Sequence, residues 1–403
     1  MREIRNILSA YDRVVADGEC AVLASVVAVD GSTYRRPGAR SLILPDETSV
    51  GLVSGGCLEG DLILRAREVR ADGAPRLAHY DSSAESDIVW GLGLGCAGLV
   101  EVLLERVDAR NPGPLARLRE CLGARSAGVI ATPLGPLGTN ASAVAEGLSQ
   151  RLSQRMGIQP QGGFTGNAPS AGETQWVEAQ ARSCLAAGRS GIRRFPAASG
   201  SQELSYLFEY VRPPVRLLVF GTGADAVPLV QLAGSLGWDV VAIDNRGARA
   251  SLSHFSSIAA SSRLELVELV ELEARQTRRW IGEIGLDDRT AAVVMTHHYL
   301  DDREILGALL ATPIRYVGLL GPRKRGDELL SDLTAEGALP TSGPPPQLFS
   351  PAGLDIGADS PVQIALAVAA EIQAVFSERG GGWLREREGP IHDPIATDDS
   401  TSP

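Results

Sequence analysis

The sequence predicts an α/β protein: an N-terminal α/β domain with glycine-rich loops, followed by a C-terminal Rossmann-like, doubly wound parallel sheet. Short apolar runs alternate with amphipathic helical stretches along most of the 403 residues, which is the pattern of layered α/β folds. A chain of this length supports more than one hydrophobic core. Arg212-Pro213-Pro214 marks the boundary, because consecutive prolines interrupt regular pairing. We therefore predict domains at residues 1–213 and 214–380 and a flexible tail at 381–403.

Charge and cysteine content exclude several classes of protein. The 38 basic and 49 acidic residues leave a formal net charge of −11, so neither nucleic acid nor an anionic membrane is an expected partner. No apolar run reaches the length of a membrane span, and the first residues lack the pattern of a secretory signal. The five cysteines form no C-x-x-C pair, which favours reduced thiols over a disulfide framework or a zinc knuckle. We expect a cytoplasmic protein.

The chain opens with a predicted helix at Ile4 to Ala16 and strands at Cys20 to Val29 and Ser41 to Leu44. The loop between the two strands carries Arg35, Arg36 and Arg40 around a Pro-Gly turn. These arginines are a candidate anion clamp, since guanidinium groups bind phosphate and carboxylate well. An ordinary solvated surface turn is the alternative.

The stretch Ser54 to Asp61 is the first candidate site. A short strand, Val50 to Val53, leads through Gly55 and Gly56 into an amphipathic helix. We place Cys57 in the first helical turn, where unpaired amides favour anions and stabilise a thiolate. Glu59 is expected either to line this site or to cap a free amide. The alternative is that Cys57 is an inert, buried small hydrophobe.

A second glycine-flanked cysteine, Cys96, lies in the run Trp90 to Gly98, ahead of a strand at Leu99 to Leu104. Such glycine density suggests a loop that approaches a ligand closely, and Cys57 and Cys96 could then share one pocket. A plain connector with an incidental thiol is the alternative. Farther along, the composition from Gly135 to Gly172 predicts a long mobile loop, to which we assign no chemistry.

The second domain begins with a strand at Val215 to Phe220, the turn Gly221-Thr222-Gly223, and a helix to Leu236. The next strand ends at Asp244, roughly where a carboxylate meets a ribose in dinucleotide-binding folds. However, Ala226 occupies the place of the third glycine, and Asp225 puts a negative charge beside the pyrophosphate position. The pattern predicts a Rossmann fold and leaves NAD(P) binding open.

Later strands add two candidate groups. His297 follows a strand at Ala291 to Met295, at an edge of the sheet where ligands gather, although a purely structural histidine is equally consistent with the pattern. Arg323, Lys324 and Arg325 open a helix after the strand Tyr316 to Leu320. Three cations there oppose the helix dipole unless an anion offsets them, so they suggest a phosphate-bearing ligand. Ser360 and Pro361 predict the start of the last helix.

As a set, these motifs resemble the xanthine dehydrogenase accessory family (XdhC/CoxI). The motifs that carry the resemblance are Gly31-Ser32-Thr33, Pro37-Gly38-Ala39, Ser54 to Glu59, Leu94-Gly95-Cys96-Ala97-Gly98, the Gly221 turn, Thr296-His297, Gly321 to Arg325 and Gly353 to Ala358. Ala97 departs from the second glycine usual after that cysteine.

The resemblance implies a cytoplasmic, homodimeric chaperone without turnover of its own. Such a protein binds molybdenum cofactor transiently, as molybdopterin or its dinucleotide, and protects it while a cysteine desulfurase supplies the terminal sulfur. It then delivers the cofactor to a molybdenum hydroxylase such as xanthine or carbon monoxide dehydrogenase.

The residues suggest how such a cargo could be held. Molybdopterin carries phosphate and soft sulfur around the metal, so amide donors and cations suit its phosphate, and a thiolate could bind its metal end. Our hypothesis is that Cys57, with Cys96 as the weaker candidate, contacts the metal end, while the Arg323 to Arg325 triplet or the arginine loop with Arg36 holds the phosphate. The rival hypothesis is an NAD(P)-dependent oxidoreductase that uses Gly221, Gly223 and Asp244.

Overall fold

The computed structural model describes residues 1–31, 33–81, 98–134, 152, 155–159, 161–166, 168, 170–196, 204–244, 267–339, 343–389 and 391. Two compact units divide these residues. One spans residues 3–213, and the other comprises residues 1–2 and 214–391. We call them the N-terminal and the C-terminal unit and describe each separately.

The N-terminal unit consists of two five-stranded antiparallel sheets with helices. Its helices are α1 (Arg2–Ala16), α2 (Glu59–Asp72), α3 (Leu115–Gly123) and α4 (Ala171–Ala187). The strands of the first sheet are β1 (Ala21–Gly31), β2 (Arg40–Ile43), β3 (Ser49–Gly51), β4 (Arg76–Asp81) and β5 (Gly98–Val107), in the order β3-β2-β1-β5-β4. The strands of the second are β6 (Gly128–Leu134), β7 (Met156–Ile158), β8 (Phe164–Thr165), β9 (Gly191–Phe195) and β10 (Leu204–Val211), in the order β8-β7-β6-β10-β9.

Each sheet of this unit buries an apolar face under a helix. Helix α2 presents Leu62, Ala66 and Val69 to the first sheet, at the i, i+4, i+7 spacing of one helical face. Helix α4 covers the second sheet in the same way with Val177 and Ala181. A third cluster joins side chains of β1 and β5 to side chains of β6 and β10, so the two sheets share a core.

The α/β class predicted for this unit is confirmed, but one stretch differs from the prediction. The sequence predicts a long loop from Gly135 to Gly172, whereas in the described part of that range residues 156–158 and 164–165 pair as β7 and β8. Gly157 explains why a strand forms there: a Cβ atom on Gly157 would lie 2.1 Å from the carbonyl oxygen of Val129. The glycine lets β6 and β7 approach each other closely, although the composition of the surrounding stretch suggested a loop.

The C-terminal unit is a six-stranded, wholly parallel sheet. Its strands are β11 (Arg216–Phe220), β12 (Asp239–Asp244), β13 (Val267–Glu271), β14 (Thr290–Val294), β15 (Tyr316–Leu319) and β16 (Leu348–Phe349). Their order, β13-β12-β11-β14-β15-β16, reads 3-2-1-4-5-6 when counted from the first strand of the unit. This order is that of the dinucleotide-binding Rossmann fold, which confirms the predicted fold class.

Helices cover both faces of this sheet. They are α5 (Ala226–Ser235), α6 (Thr277–Ile284), α7 (Tyr299–Leu310), α8 (Arg323–Ala335) and α9 (Pro361–Phe376). Helices α5 and α9 pack in one apolar cluster, and α6, α7 and α8 pack in another on the opposite face. The start of α9 is as predicted, with Pro361 as its first residue and a reciprocal capping box between Ser360 and Gln363.

The predicted tail begins at residue 381. In its described part, residues 384–386 form one 3₁₀ turn, and Trp383 is 68% exposed. Among the described helices, none has both the length and the apolar character needed to cross a lipid bilayer.

Candidate functional site

Cys57 opens onto a small cavity in the N-terminal unit. The side chain is exposed, so the alternative that it is an inert buried residue is wrong. A cavity of about 60 Å³, which we call the thiol cavity, lies beside it. The cavity is lined by Thr33, Tyr34, Arg35, Val53, Ser54, Gly55, Cys57, Leu58, Tyr80, Gly98 and Val100. The thiol of Cys57 is therefore surrounded by residues from several parts of the unit: the turn before α2, the arginine loop, and the paired strands β4 and β5.

Cys57 precedes the helix rather than lying in its first turn, which corrects the predicted position. Helix α2 begins at Glu59. Gly56 has φ of +108°, a conformation that glycine adopts easily and other residues rarely adopt. The hydroxyl oxygen of Ser54 accepts hydrogen bonds from the amides of Gly56 at 3.3 Å and Leu58 at 3.1 Å. These bonds hold residues 54–58 in a compact turn and delay the start of the helix by two residues.

Glu59 accepts hydrogen bonds from two backbone amides of this turn. Its carboxylate accepts hydrogen bonds from the backbone amides of Ser54 at 3.1 Å and Leu58 at 3.2 Å, and from the Ser54 hydroxyl at 2.5 Å. Glu59 therefore caps backbone amides of the turn, which is the second of the two roles predicted for it. Two amides and one hydroxyl of the turn are therefore satisfied by an internal negative charge, which disfavours an anion beside the exposed Cys57 thiol.

The three arginines of the preceding loop do not act together. Arg35 lines the thiol cavity and is paired with Glu3. Arg40 is buried in a bidentate ion pair with Glu209 and also donates to the Gly38 carbonyl at 2.8 Å, so its place in the predicted clamp is wrong. Arg36 is half-buried, and among the described residues Arg35 rather than Arg36 faces the cavity.

Tyr80 forms another part of the cavity wall. Its hydroxyl donates to Asp61 at 2.6 Å, and the Arg65 Nε donates to the same carboxylate oxygen at 2.6 Å. Burial and the neighbouring Asp61 raise the pKa of Tyr80 above its usual value, so the phenol stays neutral. Cys96, the second predicted thiol, lies outside the described residues; Gly98, two positions later, lines the cavity.

The thiols of this unit should differ sharply in reactivity. Burial raises the pKa of Cys121 to about 11 and raises that of Cys184, so their thiolates are scarce and shielded. We expect iodoacetamide at neutral pH to alkylate Cys57 at least about tenfold faster than Cys121 or Cys184, measured by peptide mass spectrometry. The same reaction in denaturant is the control, where the three rates should converge. Equal rates in the native protein would show that Cys57 is shielded.

The C-terminal unit has a larger crevice at the carboxyl ends of its strands, where ligands bind in open α/β sheets. It measures about 520 Å³, and we call it the sheet-end crevice. Its lining consists of Asp225, His297, Leu320, Gly321, Pro351, Ala352, Leu354, Asp355, Ile356, Gly357, Ala358, Ile364 and Ala367. Of the sequence-predicted site residues, His297 is therefore in the crevice.

His297 and Asp225 form a pair across the crevice. The Nε2 atom of His297 lies 2.7 Å from Oδ2 of Asp225. His297 has φ of +60°, a left-handed conformation that few residues other than glycine adopt, and its side chain is 61% exposed. Such backbone strain is common at functional sites, and here it turns the imidazole toward the start of α5.

The glycine turn after β11 is occupied by internal contacts. Asp244, the predicted ribose partner, accepts a hydrogen bond from the Thr222 hydroxyl. Gly221 has φ of +115° and its backbone approaches that of Met295, while Gly223 lies against the Asp225 carboxylate. Asp225 is the residue immediately before α5, where a Rossmann protein places pyrophosphate. A negative charge at that point disfavours a pyrophosphate there.

The basic triplet opens α8 as predicted, but its three members differ in their contacts. Arg325 donates to the buried Asp302 at 2.6 Å, and Asp302 also accepts from the Thr296 hydroxyl at 2.6 Å. Lys324 is 88% exposed, and its Nζ is 3.9 Å from a Glu328 oxygen. Arg323, the first residue of α8, is exposed. Two of the three cations are therefore available to a ligand.

Sequence reasoning did not single out Asp355 or Tyr80 as site residues. Asp355 lies within the Gly353 to Ala358 motif but was given no role of its own. No motif marks Tyr80, which the fold brings to the cavity from a distant position. Within the described parts of the chain, no three His, Cys, Asp or Glu side chains cluster closely enough to hold a metal ion.

The chain matches two family models. Residues 217–372 match the XdhC Rossmann domain, and residues 14–81 match the XdhC and CoxI family. A Bacillus subtilis (strain 168) protein, named as a probable subunit of xanthine dehydrogenase, is 30% identical over 367 residues, which cover 91% of this chain and 96% of that protein.

More distant relatives cover the same length. The Escherichia coli (strain K12) molybdenum cofactor insertion chaperone PaoD is 23% identical over 92% of this chain and 88% of its own. A crystal structure of a Bacillus halodurans protein, described as a xanthine dehydrogenase, shares the fold with a TM-score of 0.68 and 27% identity, over 92% of this chain and 96% of that one. The chain belongs to the XdhC and CoxI family, as its motifs predict.

Proposed function

We propose that this protein is an accessory protein that binds molybdenum cofactor transiently, protects it during sulfuration and delivers it to a molybdenum hydroxylase. The observation that carries the proposal is the exposed Cys57 thiol beside a small cavity. Thiolate is a preferred ligand of soft metal centres. The relative PaoD is named a molybdenum cofactor insertion chaperone, which supports the same role for this chain.

The thiol cavity would receive the metal end of the cofactor. Its volume of about 60 Å³ admits a small group beside the Cys57 thiol. A soft metal centre placed there would contact a thiolate, a ligand that it prefers.

The partners follow from this role. We propose a molybdenum hydroxylase as the client, a cysteine desulfurase as the sulfur donor, and a homodimer acting in the cytoplasm. The protein would have no turnover of its own, because its part is to hold the cofactor while another protein carries out the chemistry.

The strand order of the C-terminal unit favours one other function, an NAD(P)-dependent oxidoreductase. The charge at the glycine turn opposes it, since Asp225 stands where the pyrophosphate would bind and Thr222 already engages Asp244. Titration calorimetry with NADH and NADPH separates the two functions. Micromolar binding with turnover would favour the oxidoreductase.

Molybdenum loading tests the chaperone proposal directly. Wild-type protein and the Cys57→Ser variant are incubated anaerobically with cofactor released from a molybdenum hydroxylase, then separated from free cofactor and analysed for bound molybdenum. Loss of the thiolate contact should lower the affinity at least about tenfold, equivalent to 1.4 kcal/mol of binding free energy. The contact is lost because a serine hydroxyl is a harder and far less acidic ligand than a thiol.

Cys20→Ser is the matched control, because Cys20 is a partly exposed cysteine that does not line the thiol cavity. It should load as much molybdenum as the wild type. If Cys57→Ser and Cys20→Ser retain equal, undiminished occupancy, Cys57 is not the metal contact. If the wild type itself binds no molybdenum, the proposed function fails.

A further inference from the structure

We propose that the sheet-end crevice recognises the 2-amino-4-oxopyrimidine edge of a ligand ring, with the Asp225 carboxylate as the main acceptor. The inference rests on the proposed function, because molybdopterin carries this edge on its pterin. Guanine carries the same edge, so a guanine dinucleotide form of the cofactor would supply the same chemistry. It assigns a binding role to a crevice that the metal contact at Cys57 does not use.

The charge of the crevice selects against phosphate and in favour of N–H groups. Its described lining contains two carboxylates, Asp225 and Asp355, one imidazole, and no lysine or arginine. A ring edge with two adjacent N–H donors matches a carboxylate, which accepts two parallel hydrogen bonds. A phosphate or pyrophosphate at the same point would meet like charge.

Asp225 is positioned to accept these bonds. Its side chain is 26% exposed, and Oδ2 is fixed by the 2.7 Å contact with Nε2 of His297. The other oxygen, Oδ1, lies against Gly223, where an added Cβ would be only 2.6 Å away. Glycine at 223 therefore leaves room for the carboxylate, and His297 holds its orientation. A carboxylate has more lone pairs than the His297 contact uses, so Asp225, which lines the crevice, can still accept hydrogen bonds.

The rest of the crevice suits a flat ring. Leu320, Leu354 and Ile364 contribute apolar surface, and Ile356 is 52% exposed although it belongs to the lining. A volume of about 520 Å³ lies within the usual range for small-molecule sites. A bicyclic ring can therefore pack on apolar side chains while its polar edge reaches Asp225.

The cations of α8 lie next to this crevice rather than in it. Gly321 lines the crevice, and α8 begins two residues later with the exposed Arg323 and Lys324. A ligand with its ring in the crevice could direct a phosphate toward these side chains. The N–H edge would then bind the Asp225 carboxylate, and the phosphate would bind the adjacent cations Arg323 and Lys324. A phosphorylated pterin carries both of these groups.

Two pairs of probes test the inference without requiring any variant. Lumazine carries an oxo group where pterin carries the 2-amino group. Inosine is guanosine without the 2-amino group. Pterin and lumazine binding is followed by ligand fluorescence, and nucleoside binding by titration calorimetry. Wild-type protein should bind pterin at least tenfold more tightly than lumazine. A guanosine-over-inosine preference alone would identify guanine as the source of the edge.

The Asp225→Asn variant then assigns the preference to a side chain. An amide of the same shape presents N–H groups to an N–H edge, so pterin binding should weaken at least tenfold and the preference should disappear. Glu283→Gln, which removes one negative charge from an exposed position on α6, is the control and should leave both unchanged. Circular dichroism and thermal unfolding show that the variants are folded.

Two results would overturn the inference: equal binding of each probe and its partner by the wild-type protein, or a preference that survives Asp225→Asn. Either result leaves the proposed function standing if molybdenum loading still depends on Cys57. Conversely, intact pterin recognition in a protein that binds no molybdenum would refute the chaperone proposal and keep the crevice assignment.

Discussion

Replacing Arg40 with methionine should lower the free energy of unfolding of the N-terminal unit by about 3–5 kcal/mol, because the change leaves a buried carboxylate without its counter-ion. The side chains of Arg40 and Glu209 are only 4% and 10% exposed. They make a bidentate contact between β2 of the first sheet and β10 of the second, with Nη1 at 2.8 Å from Oε1. Methionine fills similar volume but offers no donor to Glu209 or to the Gly38 carbonyl.

Hydrogen exchange measured by mass spectrometry is the appropriate readout, because a chain with two compact units need not unfold in one step. Peptides from β1 and β10 report on the N-terminal unit. Arg67→Met is the matched control, since Arg67 and its partner Glu47 are 54% and 37% exposed; it should cost less than about 1 kcal/mol.

The double substitution Arg40→Met with Glu209→Met separates two explanations. If the cost of the single variant is that of an unpaired buried charge, removing both charges should recover most of the stability. If the double variant is as unstable as the single one, the single variant loses stability through altered packing between the sheets and not through an unpaired charge. A single variant as stable as Arg67→Met would contradict the prediction.

Local signals in the sequence predicted the parts of the fold that depend on neighbouring residues. The capping box at Ser360 lies within four residues, and β11 with the turn and helix that follow it spans twenty. The α/β class follows from such units because helices must cover the apolar faces of the strands. The same reasoning missed β9, β13 and β16, which lack a clear alternating pattern.

Contacts between distant residues decided what the sequence could not show. Arg40 looked like part of an anion clamp until its partner, 169 residues away, was placed beside it. Likewise, Glu59 and Asp225 are acidic residues beside predicted anion sites, and only their hydrogen bonds show how each is used. Charge in a motif predicts a site, but the partner of each charge decides what that site can bind.

Replacing Gly221 with alanine should lower the free energy of unfolding of the C-terminal unit by about 2–4 kcal/mol, from left-handed backbone strain and overpacking together. Gly221 has φ of +115°, and an added Cβ would lie 2.5 Å from the carbonyl oxygen of Met295 and 2.8 Å from its carbonyl carbon. Both atoms belong to the backbone, so no side chain can move aside. The amide of Gly221 also donates to Ile243 at 2.8 Å, which ties the turn to β12.

The strain should reach the sheet-end crevice, because Met295 is two residues before His297. Displacing the end of β14 would shift the imidazole that orients Asp225, so pterin binding should weaken together with stability. Hydrogen exchange of peptides from β11 and β14 measures the first effect, and pterin fluorescence measures the second.

Gly282→Ala provides the control of opposite sign. Gly282 is exposed within α6, an added Cβ there would meet no atom within 4 Å, and alanine favours helix, so the variant should gain about 0.5–1 kcal/mol. Loss of stability in Gly221→Ala alone would locate the effect at the contact between β11 and β14. Equal stability in the two variants would mean that the turn after β11 can relax around a methyl group, and that its glycine is not required for the close approach of the two strands.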